Sequence, residues 1–560
     1  MGLSGSVTAA GRAQVLPFSS ARSAIAPGQP FLRIPPFPHA KVAAFRSFEC
    51  ATIPGSDLVE QVCRLRVGGT YWGAQPDLPE GHVLVRSSEA LERAEAIFPG
   101  RHIVLWTEQP EDPRDGVMNV SGECDPWHML SSATAAIVGP TDDLRLITKL
   151  AGVPCYLLEE AGGEPKLCTD DAEVLLKSAL ADRSFENPFT GEPMSLGETI
   201  ELCGFWRRLI DSNRGIGGGL GFAFWKQPHV GPLLWAGSKP LEFIRNPREA
   251  SAGQALAVWR SKISAAATAE IERRKIPVVE VEDGFLRSRG LGADCIPPLS
   301  ITVDRFGAHF DPAVQSELEM LIDQGGFDET MLNRAQELRR VIVEAGLGKY
   351  ERGVAQVRRP AGERRHILVP GQVEDDRAVQ CGGCGLVSNL ELLKRVREEA
   401  PDAYILYKPH PDVVAGHRRG AIPDTLCLQY ADEIVVDGSI ASLISMADEV
   451  HVNTSLAGFE ALLRGKCVIT YGVPFYAGWG LTRDLGPVPS RRTARRTVDE
   501  LVAATLLIYP RYLDPVTGLP CPAEVVVARL SDSEASDPGV IVGVRRLQGK
   551  LMRRLRSLVQ

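Results

Sequence analysis

Residues 366–376 read HILVPGQVEDD, an apolar run that ends in Gly-Gln-Val and then Glu374, Asp375 and Asp376. Like charges repel, so three adjacent carboxylates at a strand end are costly unless solvent, cations or a charged substrate face them. Either the cluster is a solvated loop or one acid faces a cleft and does chemistry there. In YKPHPD (407–412), Lys408 and His410 alternate to one side beyond another apolar run. Two donors there can neutralise a departing phosphate, although Pro409 and Pro411 also suit a plain turn with surface charges. In NTSLAGFEALLRGK (453–466), Asn453, Thr454 and Ser455 precede a helix. Hydroxyls and free N–H groups at a helix start suit an anionic phosphate, and Glu460 just inside could take a ribose diol. An ordinary N-cap accounts for the Ser and the Glu but not for the whole string. In VEDGFLRS (281–288), Glu282, Asp283 and Arg287 would face the same cleft from its other side, or form a buried Glu–Arg pair. The Gly- and aromatic-rich YGVPFYAGWGLT (471–482) could wall a base or sugar pocket.

No His-Glu-x-x-His, Walker loop or strand-flanked Asp-x-Asp occurs. The expectation is a metal-free mechanism without a cofactor, which suits a donor carrying one phosphate. Cys381 and Cys384 form a lone C-x-x-C with no second pair or histidine close in sequence, which reads as a glycine-rich loop.

Elements that place these motifs are legible around them. The β-branched apolar runs 276–283, 365–371, 403–411, 448–453 and 466–472 read as strands. Residues 389–400, 439–447 and 458–465 read as helices, the last closed by Gly465 where a left-handed cap belongs. Strand–helix alternation predicts parallel sheets covered on both faces, with ligands at the carboxyl ends of the strands. The fold class expected is α/β: a pair of Rossmann lobes preceded by a degenerate Rossmann-like N-terminal domain. The expected segments are an irregular N-terminus (1–55), a degenerate half-module (56–215), an acceptor-side lobe (216–350), a nucleotide-binding lobe (351–530) and a basic amphipathic tail (531–560).

The half-module is inferred from an internal repeat. Residues 125–160 align with 437–472, and NPFTGEP (187–193) echoes DPVTGLP (514–520). The first copy lacks the polar residues: Pro140 and Thr141 face Thr454 and Ser455, and Leu146 faces Glu460. A structural role is expected for it.

A chain of 560 residues exceeds a single core, and 44% hydrophobic with 24% charged residues fits a globular enzyme. A net charge of −8 argues against a general nucleic-acid binder. The twelve scattered cysteines read as reduced thiols of a cytoplasmic protein. No apolar run is long enough for a membrane span, and the first residues lack a secretory h-region. Near the C-terminus, Leu547, Leu551, Leu555 and Val559 form a stripe beside six Arg and Lys residues (Arg545 to Arg556), a pattern that can lie on an anionic membrane or pack on the protein's own acidic surface.

Taken together, VEDGFLRS, ILVPGQVEDD, PDAYILYKPHPDVVAG, ADEVHVNTSLAGFEALLRGK and YGVPFYAGWGLT resemble the KpsC-type capsule polysaccharide β-Kdo transferases, over roughly residues 217–530 and closest to the C-terminal of that family's two modules. The resemblance implies a GT-B fold and a retaining glycosyltransferase of Gram-negative bacteria. It implies transfer of Kdo from CMP-Kdo to a lipid-linked or oligo-Kdo acceptor in capsule linker synthesis. It places the family's nucleophile on Asp376, the CMP phosphate on His410, Lys408, Thr454 and Ser455, and the ribose on Glu460. Glu282, Asp283 or Glu374 would be the base for the acceptor, and Arg287 and Gln372 would lie on the acceptor or Kdo side. It also implies a site at the inner face of the cytoplasmic membrane, with other capsule-assembly proteins as further partners. Two departures stand out. The first module is reduced, so synthesis of two linkages by this chain is not expected, and CGGCG replaces a Thr/Gly-type loop. A different CMP-activated ulosonic acid as donor, or a non-catalytic scaffold of capsule assembly, are the alternatives.

Overall fold

The computed structural model describes residues 30–49, 57–158, 163–180, 183–288, 296–348, 359–360, 362–416 and 418–532. The expected irregular N-terminus therefore lies largely, and the basic tail almost wholly, outside the described residues. The chain divides into two compact units, one built mainly from 47–185 and 193–207 and the other mainly from residue 208 onward.

In the first unit, β1 (Ser47–Glu49) belongs to a small sheet with β8 (Arg183–Glu186) and β9 (Pro193–Met194). A six-stranded sheet is built from β2 (Val83–Val85), β3 (Ile103–Thr107), β4 (Val117–Ser121), β5 (Ala135–Val138), β6 (Cys155–Leu157) and β7 (Lys166–Leu167), in the order β4-β3-β2-β5-β6-β7. Helices α1 (Pro126–Leu130) and α2 (Leu144–Leu150) flank β5 in sequence.

The second unit holds two sheets. One has β10 (Ile216–Leu220), β11 (Phe243–Ile244), β12 (Ala255–Val258), β13 (Val278–Asp283) and β14 (Ser300–Asp304). The other has β15 (His366–Pro370), β16 (Tyr404–Lys408), β17 (Glu433–Ile434), β18 (Glu449–Val452), β19 (Cys467–Thr470) and β20 (Arg483–Asp484). The chain then returns to the earlier sheet with β21 (Pro510–Leu513) and β22 (Pro520–Cys521), giving the order β11-β10-β12-β13-β14-β21-β22. The expected segment 351–530 is thus not one lobe. Nor is the first sheet all parallel: β13–β14, β14–β21 and β21–β22 are antiparallel. Between β13 and β14 no helix occurs among the described residues, and the two strands pair antiparallel from Glu280–Asp304 to Asp283–Ile301.

The later sheet runs β17-β16-β15-β18-β19-β20, all parallel. β15 is buried end to end and β16 at every residue but its first, as strands covered on both faces must be. The helices that serve the site are α3 (Arg377–Gly382), α4 (Asn389–Glu399), α5 (Pro411–Val414), α6 (Ile440–Met446) and α7 (Leu456–Leu463). Leu392, Leu393 and Val396, spaced one, three and four apart, turn one face of α4 onto Ile367, Val369 and Ile405. Gly465 follows α7 at φ +67, a conformation glycine adopts without steric cost.

Strand order in this sheet repeats that of the first unit, position for position. The α1-β5-α2-β6 string matches α6-β18-α7-β19, the two segments aligned by sequence. The two echoed turns also bond alike: Gly191 N donates to Asn187 O (2.8 Å) and Gly518 N to Asp514 O (2.9 Å), while Asn187 N and Asp514 N donate to Glu192 O (2.7 Å) and Leu519 O (3.0 Å). At the strand ends of the first unit, Arg86 Nε donates to Asp142 Oδ2 at 3.1 Å, so this corner neutralises itself.

Candidate functional site

A cleft of about 780 Å³ opens at the carboxyl ends of β15, β16 and β18 and is lined on another side by residues around β12, β13 and the β10 loop. Of the residues singled out by sequence, Asp376, Glu282, Asp283, Arg287, Gln372, Lys408, His410, Thr454, Ser455 and Glu460 all line it, whereas Glu374 does not.

The three adjacent acids diverge. Glu374 Oε1 accepts the Asn389 N–H at 2.9 Å and so caps α4 from outside the helix, where a carboxylate meets the positive end of the dipole. Asp375 Oδ1 pairs with Arg418 Nη2 at 3.2 Å. Asp376 alone turns to the cleft, about half exposed at 48% of its side chain. Its Oδ1 accepts the Ala378 N–H at 3.0 Å, capping α3, and its Oδ2 lies 4.0 Å from Arg418 Nη2. Glu374 as an acceptor base is thereby corrected: its carboxylate is spent on a helix terminus. The cation paired with this acid cluster is Arg418.

Around the expected phosphate corner the donors are held in place. The buried Lys408 Nζ donates to Val436 O at 2.9 Å. His410 Nδ1 accepts the Asp412 N–H at 3.1 Å as the cap of α5, which puts the ring proton on Nε2 and makes that nitrogen a donor. Gln372 spans the gap between β15 and β18, its Nε2 donating to Thr454 Oγ1 and its Oε1 accepting from Thr454 N, each at 2.9 Å. It thus orients Thr454, whereas the sequence had placed it beside the sugar or acceptor. Ser455 caps α7 by accepting from Ala457 N at 3.2 Å, and the wholly buried Tyr476 donates its hydroxyl to Ser455 O. A Cβ on Gly458 would lie 2.2 Å from Tyr476 Oη, so only glycine lets that tie form. Glu460, 7% exposed, lies deeper on α7 beside Gly348.

On the opposite wall, Asp283 is gripped by two cations, Lys226 Nζ at 3.2 Å and Arg287 Nε at 2.9 Å. Arg287 is 1% exposed, and it also donates to Ser288 Oγ and Ile296 O, so its guanidinium ties Asp283 to Ser288 and Ile296. The sequence offered a buried Glu–Arg pair as one alternative; Arg287 is indeed buried in an ion pair, but its partner is Asp283 and not Glu282. Glu282 pairs instead with Arg377 Nη1 at 3.0 Å. Burial, with Asp283 and Glu280 adding like charge, pushes the Glu282 carboxyl up to about 7 against the pull of Arg377 and Lys226. Burial likewise brings Lys226 down to about 8, with Asp283 opposing; its ammonium sits 3.3 Å from the Trp259 ring centroid.

Sequence reasoning missed Lys226, Arg377 and Arg418. The string GFAFWK (221–226), aromatics and a lysine just past a glycine-rich strand, was a readable signal for Lys226. Among the described residues no group of three His, Cys, Asp or Glu is placed to hold a metal ion, and Cys381 and Cys384 are free thiols. No helix among them is long and apolar enough to cross a membrane.

Residues 254–512 match the family described as capsule polysaccharide biosynthesis protein. The capsule polysaccharide modification protein LipA of Neisseria meningitidis is 38% identical over 380 residues, which cover 66% of this chain and 54% of LipA. The lipopolysaccharide-processing protein LpsZ of Rhizobium meliloti is 42% identical over 282 residues, covering 50% of this chain and 63% of LpsZ. The matched stretch thus spans between half and two thirds of the length of these curated relatives. The solved Thermosulfurimonas dismutans KpsC beta Kdo 2,7 transferase is 37% identical over 56% of this chain and 97% of its own, with a TM-score of 0.46. The corresponding beta Kdo 2,4 transferase is 31% identical over 56% and 98%, with a TM-score of 0.49.

Proposed function

From a chain that belongs to the KpsC-type, Kdo-transferase-like capsule polysaccharide proteins, we propose a retaining transferase that moves Kdo from CMP-Kdo to a lipid-linked or oligo-Kdo acceptor. The observation that carries it is convergence in one cleft: a carboxylate at a strand end (Asp376), a donor corner for one phosphate (His410, Lys408 and the start of α7) and a buried acid for a diol (Glu460). A GT-B-like pairing of the two sheets of the second unit belongs to the same proposal.

Asp376 Oδ1 is taken by the Ala378 N–H, so Oδ2 is the attacking oxygen. It bonds to the anomeric carbon of Kdo as the bond from that carbon to the phosphate oxygen breaks. CMP leaves with the electron pair, and the charge appearing on its phosphate meets His410 Nε2–H, Lys408 and the N–H groups of α7. In the second step the acceptor hydroxyl gives its proton to a base and attacks the same carbon, releasing the Asp376 carboxylate. Two displacements at one carbon restore its configuration.

Among the three candidate bases, Glu374 is committed to α4 and Asp283 to Lys226 and Arg287. Glu282 lines the cleft, and its raised proton affinity suits general-base work near neutral pH. Trp225 and the exposed Lys262 on the same wall offer an aromatic and cationic face to an acidic sugar acceptor. Trp225→Ala is expected to raise the KM for acceptor about tenfold, the loss of one stacked ring, while leaving CMP release from the first step unchanged. An unaltered KM in steady-state assays would remove Trp225 from acceptor binding.

The direct test is to supply CMP-Kdo and a Kdo-terminated acceptor and read the product by NMR. A β linkage is expected; an inverted anomer would refute double displacement, and transfer only from another CMP-ulosonic acid would replace the donor.

Attachment to an anionic membrane through the basic stretch 541–560 is part of this proposal. Truncation before residue 541 is expected to release the protein from phosphatidylglycerol liposomes in a flotation assay, with binding to neutral liposomes negligible throughout. Equal flotation of both forms would refute it.

A further inference from the structure

Arg377 follows Asp376 directly and starts α3, yet its side chain leaves that helix for β13 of the other sheet. There Nη1 donates to Glu282 Oε1 at 3.0 Å and to Glu280 Oε2 at 3.2 Å. Arg260, just past β12, holds the other oxygen of Glu280 at 2.6 Å, so Glu280 is fixed from both sides. The Phe310 ring centroid lies 5.1 Å from the Arg377 guanidinium carbon, a cation–π contact on one side of a group that stays partly exposed. The residue next to the proposed nucleophile is therefore the ion-pair partner of the proposed base, although the two lie 95 positions apart.

We propose that Arg377 is a positioning residue that clamps the helix presenting Asp376 onto the strand presenting Glu282 and supplies the positive charge that the base needs. The inference rests on the assignment of Asp376 and Glu282 to the two steps given above.

The charges around Glu282 decide what the clamp does. Its own strand contributes Glu280 and Asp283, the β10 loop contributes Lys226, and α3 contributes Arg377. Asp283 is already held by Lys226 and Arg287, and Glu280 by Arg260. On the neighbouring strand, Thr302 pairs in register with Glu282 and carries no charge. Asp304, in register with Glu280, accepts from Tyr509 Oη and from backbone N–H groups. Without Arg377, Glu282 would face two acids with only Lys226 in compensation. Its carboxyl would then hold its proton to higher pH.

The test follows the pH dependence of the transfer step, measured by single turnover from CMP-Kdo-charged protein to acceptor. Wild type is expected to lose rate as pH falls through about 7, the range in which burial places Glu282. In Arg377→Gln that limb should move to higher pH by about one unit or more, the size expected for loss of a charge within contact distance. Arg377→Lys, which keeps a charge but cannot bridge both acids, should return the limb toward its wild-type position while transfer stays slow. A limb abolished by Glu282→Gln but unmoved in Arg377→Gln would overturn the proposal for Arg377 alone, because a merely structural tie lowers rate without shifting a titration. A limb that persists in Glu282→Gln would remove the base assignment and the clamp with it. Arg377→Lys also guards against misfolding of the glutamine variant.

Discussion

Asp376→Ala is expected to abolish transfer, by roughly 10⁴-fold or more as for other lost nucleophiles, while the chain stays folded. The side chain is half exposed, and its one structural duty is to cap α3, a six-residue helix. Losing such a cap costs about 1 kcal/mol, too little to unfold a protein with cores of this size. Asp376→Asn separates the two roles, since asparagine caps as well as aspartate but cannot form the ester. Both variants should therefore be equally inactive in a CMP-release assay, and the asparagine variant should melt within a degree or two of wild type. Turnover above about a tenth of wild type in Asp376→Asn would take the residue out of the chemistry, because no weaker role fits both results.

The second large effect falls on the other half of the reaction. Glu282→Gln keeps the shape of the side chain and a group that Arg377 can still donate to, but it cannot accept a proton. CMP is a good leaving group whose charge is met by His410 and Lys408, so the first displacement needs no base. The second does, and removing a general base typically slows such a step by about 10²–10⁴-fold. The variant should release one equivalent of CMP in a burst and then stall with Kdo on the protein. The sign of the pH effect follows from the same carboxylate. Burial raises its pKa to about 7, so the proton-free form needed for catalysis is lost as pH drops through that value. Wild-type transfer should fall on the acid side, whereas the residual rate of Glu282→Gln should be flat there. Steady turnover without a burst, with the acid limb intact, would move the base elsewhere.

The parallel sheet that carries most of the site was legible because each strand is an apolar run stopped by glycine, proline or a polar cluster. That signal is local: Lys408, His410, Thr454 and Ser455 lie within two or three residues of a strand end. The same logic recovered the repeat of strand order between the two units and, within the second, a turn whose hydrogen bonds recur between Asn187–Glu192 and Asp514–Leu519. Choosing among Glu374, Asp375 and Asp376 was beyond such a reading. Their partners are Asn389 and Arg418, 15 and 43 positions away, and in one dimension the three acids look alike. The same holds for Arg377, whose partner carboxylates lie 97 and 95 positions upstream. The mixed first sheet was hidden for a related reason. Its sixth strand comes from residues 510–513, beyond the entire second sheet, and no sequence period announces a return over that distance. Arg287 looked like a ligand-facing cation because its spacing from Asp283 suits either role; only its burial and its bonds to Ser288 and Ile296 show where its charge is used.

A two-step reaction through a protein ester makes one demand that other transferase mechanisms do not: donor alone must modify the enzyme. Mass spectrometry of the intact wild-type protein after incubation with CMP-Kdo and no acceptor should show a gain of one Kdo residue, mapping on digestion to the peptide that contains Asp376 and disappearing when acceptor is added. Transfer to acceptor that proceeds with no such gain at any time, in wild type and in Glu282→Gln alike, would contradict the account.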